Sequence, residues 1–304
     1  AYKRVQVNVL SVVIYIVTAL VLGTLAGVEG FVWAHVVQSF VLVCFGTFLV
    51  QKYSKCYVTN WYLVSKTQLK KLVSISWKVQ FASVFSVFGE NLVKVYIGYF
   101  SEVRYVVYYE MASKLVSQIR LLAINACQLL VPVISKSKLQ KNGQNKSSEL
   151  FIKSFESVWV LSSVAFVGIA TMSPLISIIW LGDINQTFIL TLLILCFTMI
   201  INTCLAPAYF SNIATGHVNS NLFALIVIAL VNSLLGYFWG EAYSFYGVVL
   251  AYSVSVILGT GFLLAEYFRR NNVDLGDLYL ASSPHVIFIL YLPLIVATQL
   301  FFVS

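Results

Sequence analysis

Charged side chains are scarce in this sequence, and their scarcity limits the class of protein. Asp, Glu, Lys and Arg make up 10% of the 304 residues, whereas about 25% is typical of soluble domains. Hydrophobic residues make up 60%, and the mean hydropathy is +0.89. These values exclude a soluble globular protein and indicate a chain that lies mostly within a membrane.

Residue patterns typical of enzymes and metal sites are also lacking. The five cysteines form no CxxC pair and the three histidines are scattered, so we expect no metal or other cofactor. No glycine-rich phosphate loop and no GxSxG motif occurs. The polar stretches between apolar segments are short, which leaves little room for a catalytic site outside the membrane. We therefore expect a transporter and not an enzyme. A membrane glycan polymerase or ligase, which usually has a large outside loop, is an alternative.

Long apolar segments fill most of the chain. A membrane-spanning helix needs roughly 20 apolar residues, and backbone groups in lipid must be hydrogen-bonded within the segment, which favours helices. The sequence therefore predicts an all-α, polytopic bundle of about nine transmembrane helices. The predicted segments are 5–27, 31–50, 72–99, 104–133, 157–181, 188–208, 221–240, 245–268 and 284–304. The polar, lysine-rich stretch 135–156 is predicted to be a flexible link.

Basic residues collect on one side of the membrane if the nine segments alternate in direction. Lysines and arginines cluster before the first segment, between the second and third, between the fourth and fifth, and after the eighth. On the opposite side, Arg104 is the single basic residue among several carboxylates. Positively charged loops generally stay in the cytoplasm. We therefore expect the N-terminal end of the chain to face the cytoplasm and the C-terminal end to face outward.

Two predicted hairpins share a sequence pattern, one made by the first two segments and one by the seventh and eighth. Gly30 matches Gly247 and Ala34 matches Ala251, each pair 217 residues apart. Chance similarity between apolar hairpins is one explanation. The other is a parallel repeat of six helices, a plan known among transporters, in which the first four helices of the first lobe are absent from this chain. The predicted domains are then the end of an N-terminal lobe (1–71), a six-helix C-terminal lobe (72–270) and an additional transmembrane helix (271–304).

Polar side chains follow one face of the third segment and one face of the fourth. At about 100° per residue, each set falls within one sector of its helix, and Arg120 lies roughly 80° outside the second sector. The two sets are Ser76, Gln80, Ser83, Glu90 and Lys94, and then Glu110, Lys114, Gln118, Asn125 and Gln128. The tyrosines near the turn between these segments are predicted to form an interfacial aromatic belt: Tyr96, Tyr99, Tyr105, Tyr108 and Tyr109.

Two interpretations of the charges in these segments remain open. Glu90 with Lys94, and Glu110 with Lys114, are four residues apart and can neutralise each other locally, while the polar faces hold the helices together. Alternatively, the faces line a hydrated cavity in which surplus cations meet an anionic substrate, since charges inside a membrane usually face a cavity or a partner. Lys114 and Arg120 lie deepest and are the best candidates for that contact.

Several stretches together form a pattern known from one group of transporters. An aliphatic-Gly-Tyr-Phe turn occurs at 97–100 and a Tyr-Tyr-x-x-Ala stretch at 108–112, followed by Arg120 and Pro132. This region, 93–136, resembles the seventh and eighth helices of the polysaccharide flippases of the multidrug/oligosaccharidyl-lipid/polysaccharide (MOP) exporter superfamily, which include the Wzx-type O-antigen flippases. The stretches 175–183 and 214–270 resemble the end of the family's ninth helix and its eleventh and twelfth helices.

The resemblance implies a two-lobe, MATE-like fold and transport of a lipid-linked sugar by alternating access. The implied substrate is an undecaprenyl-diphosphate-linked O-antigen or capsule repeat unit, which crosses the bacterial cytoplasmic (inner) membrane. The family's cationic cavity corresponds to Lys94, Lys114 and Arg120, while Glu90 and Glu110 are expected to be charge partners or proton-coupled groups. Membrane lipids and the polysaccharide polymerase machinery are the implied partners, and no nucleic acid is expected. The coupling ion, H+ or Na+, stays open, and a multidrug or cation antiporter of the same superfamily is the alternative.

Overall fold

The computed structural model describes residues 2–54, 65–128 and 143–271, and every regular element in these ranges is an α-helix. The predicted all-α membrane fold is therefore confirmed. The chain divides into two compact units, 1–72 and 73–304. The helices in the described ranges are α1 (Tyr2–Ser54), α2 (Lys66–Phe100), α3 (Val103–Gln128), α4 (Gly143–Leu181), α5 (Gln186–Cys204), α6 (Ala206–Ala214) and α7 (Val218–Asn271).

In the described ranges, four stretches of helix are long and apolar enough to cross a membrane. They are Val9–Phe48, Phe151–Leu181, Gln186–Ala214 and Val218–Asn271. The first and last belong to α1 and α7, which each contain a non-helical residue at which the helix turns back, so each forms a hairpin. The more polar α2 and α3 occupy the predicted third and fourth segments. The predicted ninth segment, 284–304, lies outside the described residues.

The α1 hairpin is the main element of the first unit. Gly27 has φ 58° and ψ −131°, a tight-turn conformation that glycine adopts without strain. The two arms then run side by side, because the rings of Tyr15 and His35 meet edge to face at 5.9 Å. Gly30 approaches the Leu22 carbonyl so closely that a Cβ would not fit. The predicted break between the first and second segments is thus a helical hairpin turn.

The second unit is built around α5. The apolar side chains of α5 pack against α3, α4 and α7. The Asn185 side-chain oxygen accepts a hydrogen bond from the Phe188 N–H at 3.0 Å and so caps the first turn of α5. This core holds α3 in a fixed position beside α5 and α7. Large, fully buried side chains in it include Phe151, Phe166, Phe188, Leu192, Ile200 and Val248.

The span that contains α5 and α6 is interrupted between the two helices. Pro207 has no N–H to donate to the Thr203 carbonyl, so the regular hydrogen-bond pattern stops there. The Leu205 N–H instead bonds to the Asn202 carbonyl, three residues back, at 3.3 Å. The predicted continuous segment 188–208 is therefore two helices, and their junction borders the candidate site.

The prediction of a flexible link over 135–156 is wrong for the part that the structure describes. Helix α4 begins at Gly143 and includes the second half of that stretch. Phe151 gives the physical reason, because its buried ring lies 4.4 Å from the ring of Tyr267 on α7. Phe155 is buried beside it. Aromatic packing against α7 thus outweighs the polar composition of the stretch.

The predicted aromatic belt is also wrong in part. Tyr109 is only 2% exposed, and its ring meets that of Tyr252 on α7 edge to face at 6.4 Å. Tyr105 stacks on Phe245, also on α7, at 5.1 Å. Tyr99, by contrast, is 77% exposed, as expected of a belt residue. The α3 tyrosines therefore join this helix to α7, a role that the one-dimensional spacing did not reveal.

Candidate functional site

Small residues on α7 bring its first arm close to α2. A Cβ on Gly236 would lie 2.8 Å from the Tyr96 ring, so glycine permits this approach. The hydroxyl of that tyrosine donates to a carbonyl of the same arm at 3.1 Å. The buried Asn232 amide donates to the Gly89 carbonyl, also at 3.1 Å. These contacts fix the stretch of α2 on which two of the predicted site residues lie.

Glu110 on α3 holds both lysines of the predicted site. Its Oε2 lies 2.6 Å from Lys94 Nζ on α2, and its Oε1 lies 3.6 Å from Lys114 Nζ, one turn along α3. The local pair of Glu110 with Lys114 is thus present, but the local pair of Glu90 with Lys94 is wrong, because Lys94 bridges the two helices instead. The Lys94 and Glu110 side chains are 34% and 31% exposed, and that of Lys114 is 72% exposed. Such partly hydrated pairs can exchange partners at modest cost.

Arg120 differs from the lysines because it forms no ion pair with any residue that the structure describes. Its Nε is buried and has no hydrogen-bond acceptor among the residues that the structure describes. Arg120 lies ten residues after Glu110 on the same helix. At about 100° per residue, this spacing places Arg120 outside the sector of α3 that carries Glu110 and Lys114, as the sequence predicts. Polar residues that line the same cavities as Arg120 include Glu90, Asn202 and Tyr252. A buried guanidinium nitrogen without a protein acceptor favours an anion or water as its partner.

Three cavities that share lining residues meet at Arg120. The polar cavity, about 150 Å³, is lined by charged and hydroxyl side chains of α2 and α3 together with Tyr252. The apolar cavity, about 400 Å³, lies between α3, the α5–α6 junction and both arms of α7. The small cavity, about 50 Å³, shares Glu90 and Tyr252 with the polar cavity and Asn202 and Leu225 with the apolar one. Arg120 lines all three.

The structure brings the five predicted site residues together at the polar cavity. They are Glu90, Lys94, Glu110, Lys114 and Arg120. The set carries three positive and two negative charges, so its surplus is one positive charge. Glu90 has no ion pair within the described ranges and faces the same two cavities as Arg120. Because Glu110 is shared by both lysines, the charge that is most available to an anion is that of Arg120.

Other residues of the site come from helices that the sequence did not connect with it. Asn202 and Thr203 lie at the end of α5 and line the apolar cavity, and Tyr252 on α7 lines the polar one. Asn202 was visible as a polar residue in an apolar segment, but many such residues occur in a bundle of this size. Only the packing of α5 and α7 against α3 singles it out.

The arrangement of hairpins and packed helices is similar to the folds of two solved membrane proteins. A solved structure of the lipid II flippase MurJ, in an inward closed conformation, is 17% identical in sequence and superposes with a TM-score of 0.63 over 97% of this chain and 61% of that one. The Vibrio cholerae MATE transporter VcmN, in its bent form, is 11% identical and gives a TM-score of 0.61 over 91% of this chain and 63% of that one. The chain therefore spans about three-fifths of the length of each.

The chain belongs to the family described as polysaccharide biosynthesis protein. The family model matches residues 2–188, which include all of α1, α2, α3 and α4 and the first residues of α5. No curated protein matches the sequence. Family and fold agree with the resemblance to MOP-superfamily flippases that the sequence showed, and together they define a multi-pass membrane protein.

Proposed function

We propose that the protein is a flippase for an undecaprenyl-diphosphate-linked oligosaccharide, an O-antigen or capsule repeat unit, in the bacterial cytoplasmic membrane. The observation that carries this proposal is Arg120, a cation on α3 at the junction of the three cavities, whose buried Nε has no hydrogen-bond acceptor among the described residues. Membership of a polysaccharide biosynthesis family and a MurJ-like fold support it.

The diphosphate is the part of such a substrate that needs help to cross the membrane. Moving an isolated charge from water into hydrocarbon is prohibitively unfavourable, so a carrier must supply opposite charge along the way. The Arg120 Nε–H is a donor without an acceptor among the described residues. Lys94 and Lys114 can turn from Glu110 to a phosphate, because both pairs are partly hydrated. Alternating access of two lobes would then expose this site first to the cytoplasm and then to the outside. The N-terminal end of the chain faces the cytoplasm in this proposal.

The similarity to the fold of the MATE transporter VcmN suggests a second candidate function, that of a cation antiporter. Glu90, which has no ion pair in the described part of the chain, would then be the group that exchanges a proton or binds the cation. The surplus positive charge of the five site residues argues against this alternative, since it repels a cationic substrate.

Transport in a strain that lacks its own flippase tests the proposal. Arg120→Ala in the intact protein should lower delivery of lipid-linked oligosaccharide to the outer leaflet by roughly 10-fold or more, because a hydrogen bond to a charged group contributes about 1.5–3 kcal/mol. Arg104→Ala is the matched control, because Arg104 is exposed at the start of α3 and pairs with Glu102 of the preceding turn at 2.8 Å. Normal transport by Arg120→Ala at normal membrane abundance would contradict the proposal. Failure of the wild-type protein to deliver oligosaccharide, together with cation efflux that is lost in Glu90→Gln, would favour the antiporter.

A further inference from the structure

We propose that the apolar cavity is a lipid-binding site, which receives the part of a lipid's hydrocarbon chain nearest its phosphate while Arg120 and Thr203 hold that phosphate. The inference rests on the proposed function, because the lipid in question is the carrier of the transported oligosaccharide. It places this part of the lipid's hydrocarbon chain in the interior of the second unit, among α3, α5, α6 and α7.

The shape and lining of the apolar cavity fit a hydrocarbon chain. Its volume of about 400 Å³ lies within the usual range for ligand sites of about 300–1,000 Å³. A water molecule takes about 30 Å³ of the liquid, and a methylene group is of similar size, so the cavity holds on the order of ten carbons. Apolar side chains from α3, α6 and both arms of α7 form most of its wall, whereas α5 contributes the polar Asn202 and Thr203. The apolar ones include Ile124, Phe210, Ile213, Leu225 and Leu263, with Leu205 at the α5–α6 junction.

Two polar donors at this cavity have no acceptor among the described residues. One is the buried Arg120 Nε, and the other is the Thr203 hydroxyl, on a residue that is 1% exposed. The comparison within α5 is informative, because Thr191 and Thr198 donate to carbonyls four residues back at 2.7 and 2.8 Å, whereas Thr203 does not. A buried polar group without a partner costs about 1–3 kcal/mol. An oxygen-rich anion bound between the two donors would remove that cost.

Arg120 lies where the polar and the apolar cavities meet, so a ligand bound there can have both a charged and an apolar part. On one side of Arg120 lies the polar cavity with Lys94 and Lys114. On its other side lies the apolar cavity, whose wall offers few polar atoms. A phosphate at Arg120 would therefore have cations on one side and hydrocarbon on the other. A phosphate ester of a long alkyl or isoprenoid chain is the chemical class that matches both sides.

Binding of farnesyl diphosphate to the intact protein in detergent tests this inference, with inorganic diphosphate as the probe without a chain. Leu225→Trp fills part of the apolar cavity and should weaken farnesyl diphosphate binding at least 10-fold, while diphosphate binding stays within 2-fold. Leu230→Trp is the matched control, because Leu230 lies on the same arm of α7 and is 57% exposed. Thr203→Val, which keeps the shape and removes the hydroxyl, should weaken both probes about 10-fold.

Competition identifies the source of the lipid. Farnesyl diphosphate should outcompete phosphatidylglycerol supplied in mixed micelles, and equal competition by phosphatidylglycerol would overturn the carrier assignment in favour of a bilayer lipid. Unchanged farnesyl diphosphate binding in Leu225→Trp would overturn the site itself. That result leaves the proposed function intact if Arg120→Ala still abolishes transport, so the two failures can be told apart.

Discussion

The α1 and α7 hairpins have the same turn in different surroundings. Gly27 has φ 58° and ψ −131°, and Ser244, 217 residues later, has φ 51° and ψ −129°. Three residues after each turn residue, Gly30 and Gly247 approach a carbonyl of the opposite arm too closely for a Cβ. The repeat that the sequence predicts from these glycines therefore extends to the backbone conformation of the turn.

The two hairpins differ in what their glycines contact. Gly240 on α7 lies against the Phe100 ring of α2, where a Cβ would come within 2.5 Å. Gly23, at the equivalent position of α1, lies against the Phe31 ring of its own hairpin, where a Cβ would come within 2.9 Å. Closure of such a hairpin is thus determined locally, by the turn and its glycines. The helix that packs against the first arm of each hairpin depends on which aromatic ring contacts the glycine there, Phe100 of α2 for α7 and Phe31 of the same hairpin for α1.

The largest effect is expected where a Cβ would strike backbone. Gly30→Ala and Gly247→Ala should each lower the free energy of unfolding by about 3 kcal/mol or more, because the facing carbonyls of Leu22 and Trp239 cannot move without opening the hairpin. Thermal unfolding of the purified variants in detergent, together with their abundance in membranes, measures the effect.

Two other glycines provide controls for this prediction. A Cβ on Gly46 in α1 or on Gly261 in α7 meets nothing within 4 Å. Gly46→Ala and Gly261→Ala should therefore be neutral or slightly stabilising, since glycine within a helix is less favourable than alanine by about 1 kcal/mol. If alanine is tolerated at only one of Gly30 and Gly247, the two hairpins do not close in the same way.

Substitution of Gly240 and Gly23 by a larger residue tests whether the two hairpins differ in what their first arms contact. Gly240→Leu should cost about 1–3 kcal/mol, because it separates α7 from α2. Gly23→Leu should cost less, because it displaces a single ring within the α1 hairpin. Chemical unfolding of both variants in detergent gives the comparison. Equal losses would contradict the view that only the α7 glycines hold a second helix.

The sequence was sufficient to predict features that depend on local pattern. Apolar length gave the hairpin segments of α1 and α7, and the periodic polar faces placed Glu110 and Lys114 on one side of α3. The pairing of Lys94 with Glu110 was not predictable, because it depends on the rotation of α2 against α3. Thr203 was hidden for a similar reason, since its missing hydrogen bond becomes apparent only once α5 and its neighbours are packed.

Loss of the interhelical hydrogen bond from Asn232 should lower the free energy of unfolding by less than the glycine substitutions do. Asn232→Ala removes the buried amide that donates to the Gly89 carbonyl at 3.1 Å, and it should lower stability by about 1 kcal/mol, as for other interhelical hydrogen bonds in membranes. Tyr15 has the equivalent position in α1, and its ring contact with His35 survives loss of the hydroxyl. Tyr15→Phe should therefore unfold like the parent protein. A loss as large as that of Asn232→Ala would mean that the two positions are used alike.

The turn residues themselves should give the smallest change. Ser244 has a positive φ that glycine adopts freely, so Ser244→Gly should raise the free energy of unfolding by roughly 1 kcal/mol. The reciprocal change, Gly27→Ser, should lower it by a similar amount, since the backbone angles are nearly the same. Ser233→Gly, in the helical first arm of α7, is the control and should lose about 0.5–1 kcal/mol. If Ser244→Gly destabilises as much as Ser233→Gly, the serine hydroxyl stabilises the turn by more than the strain of its backbone, and the two turns are alike in shape but not in energy.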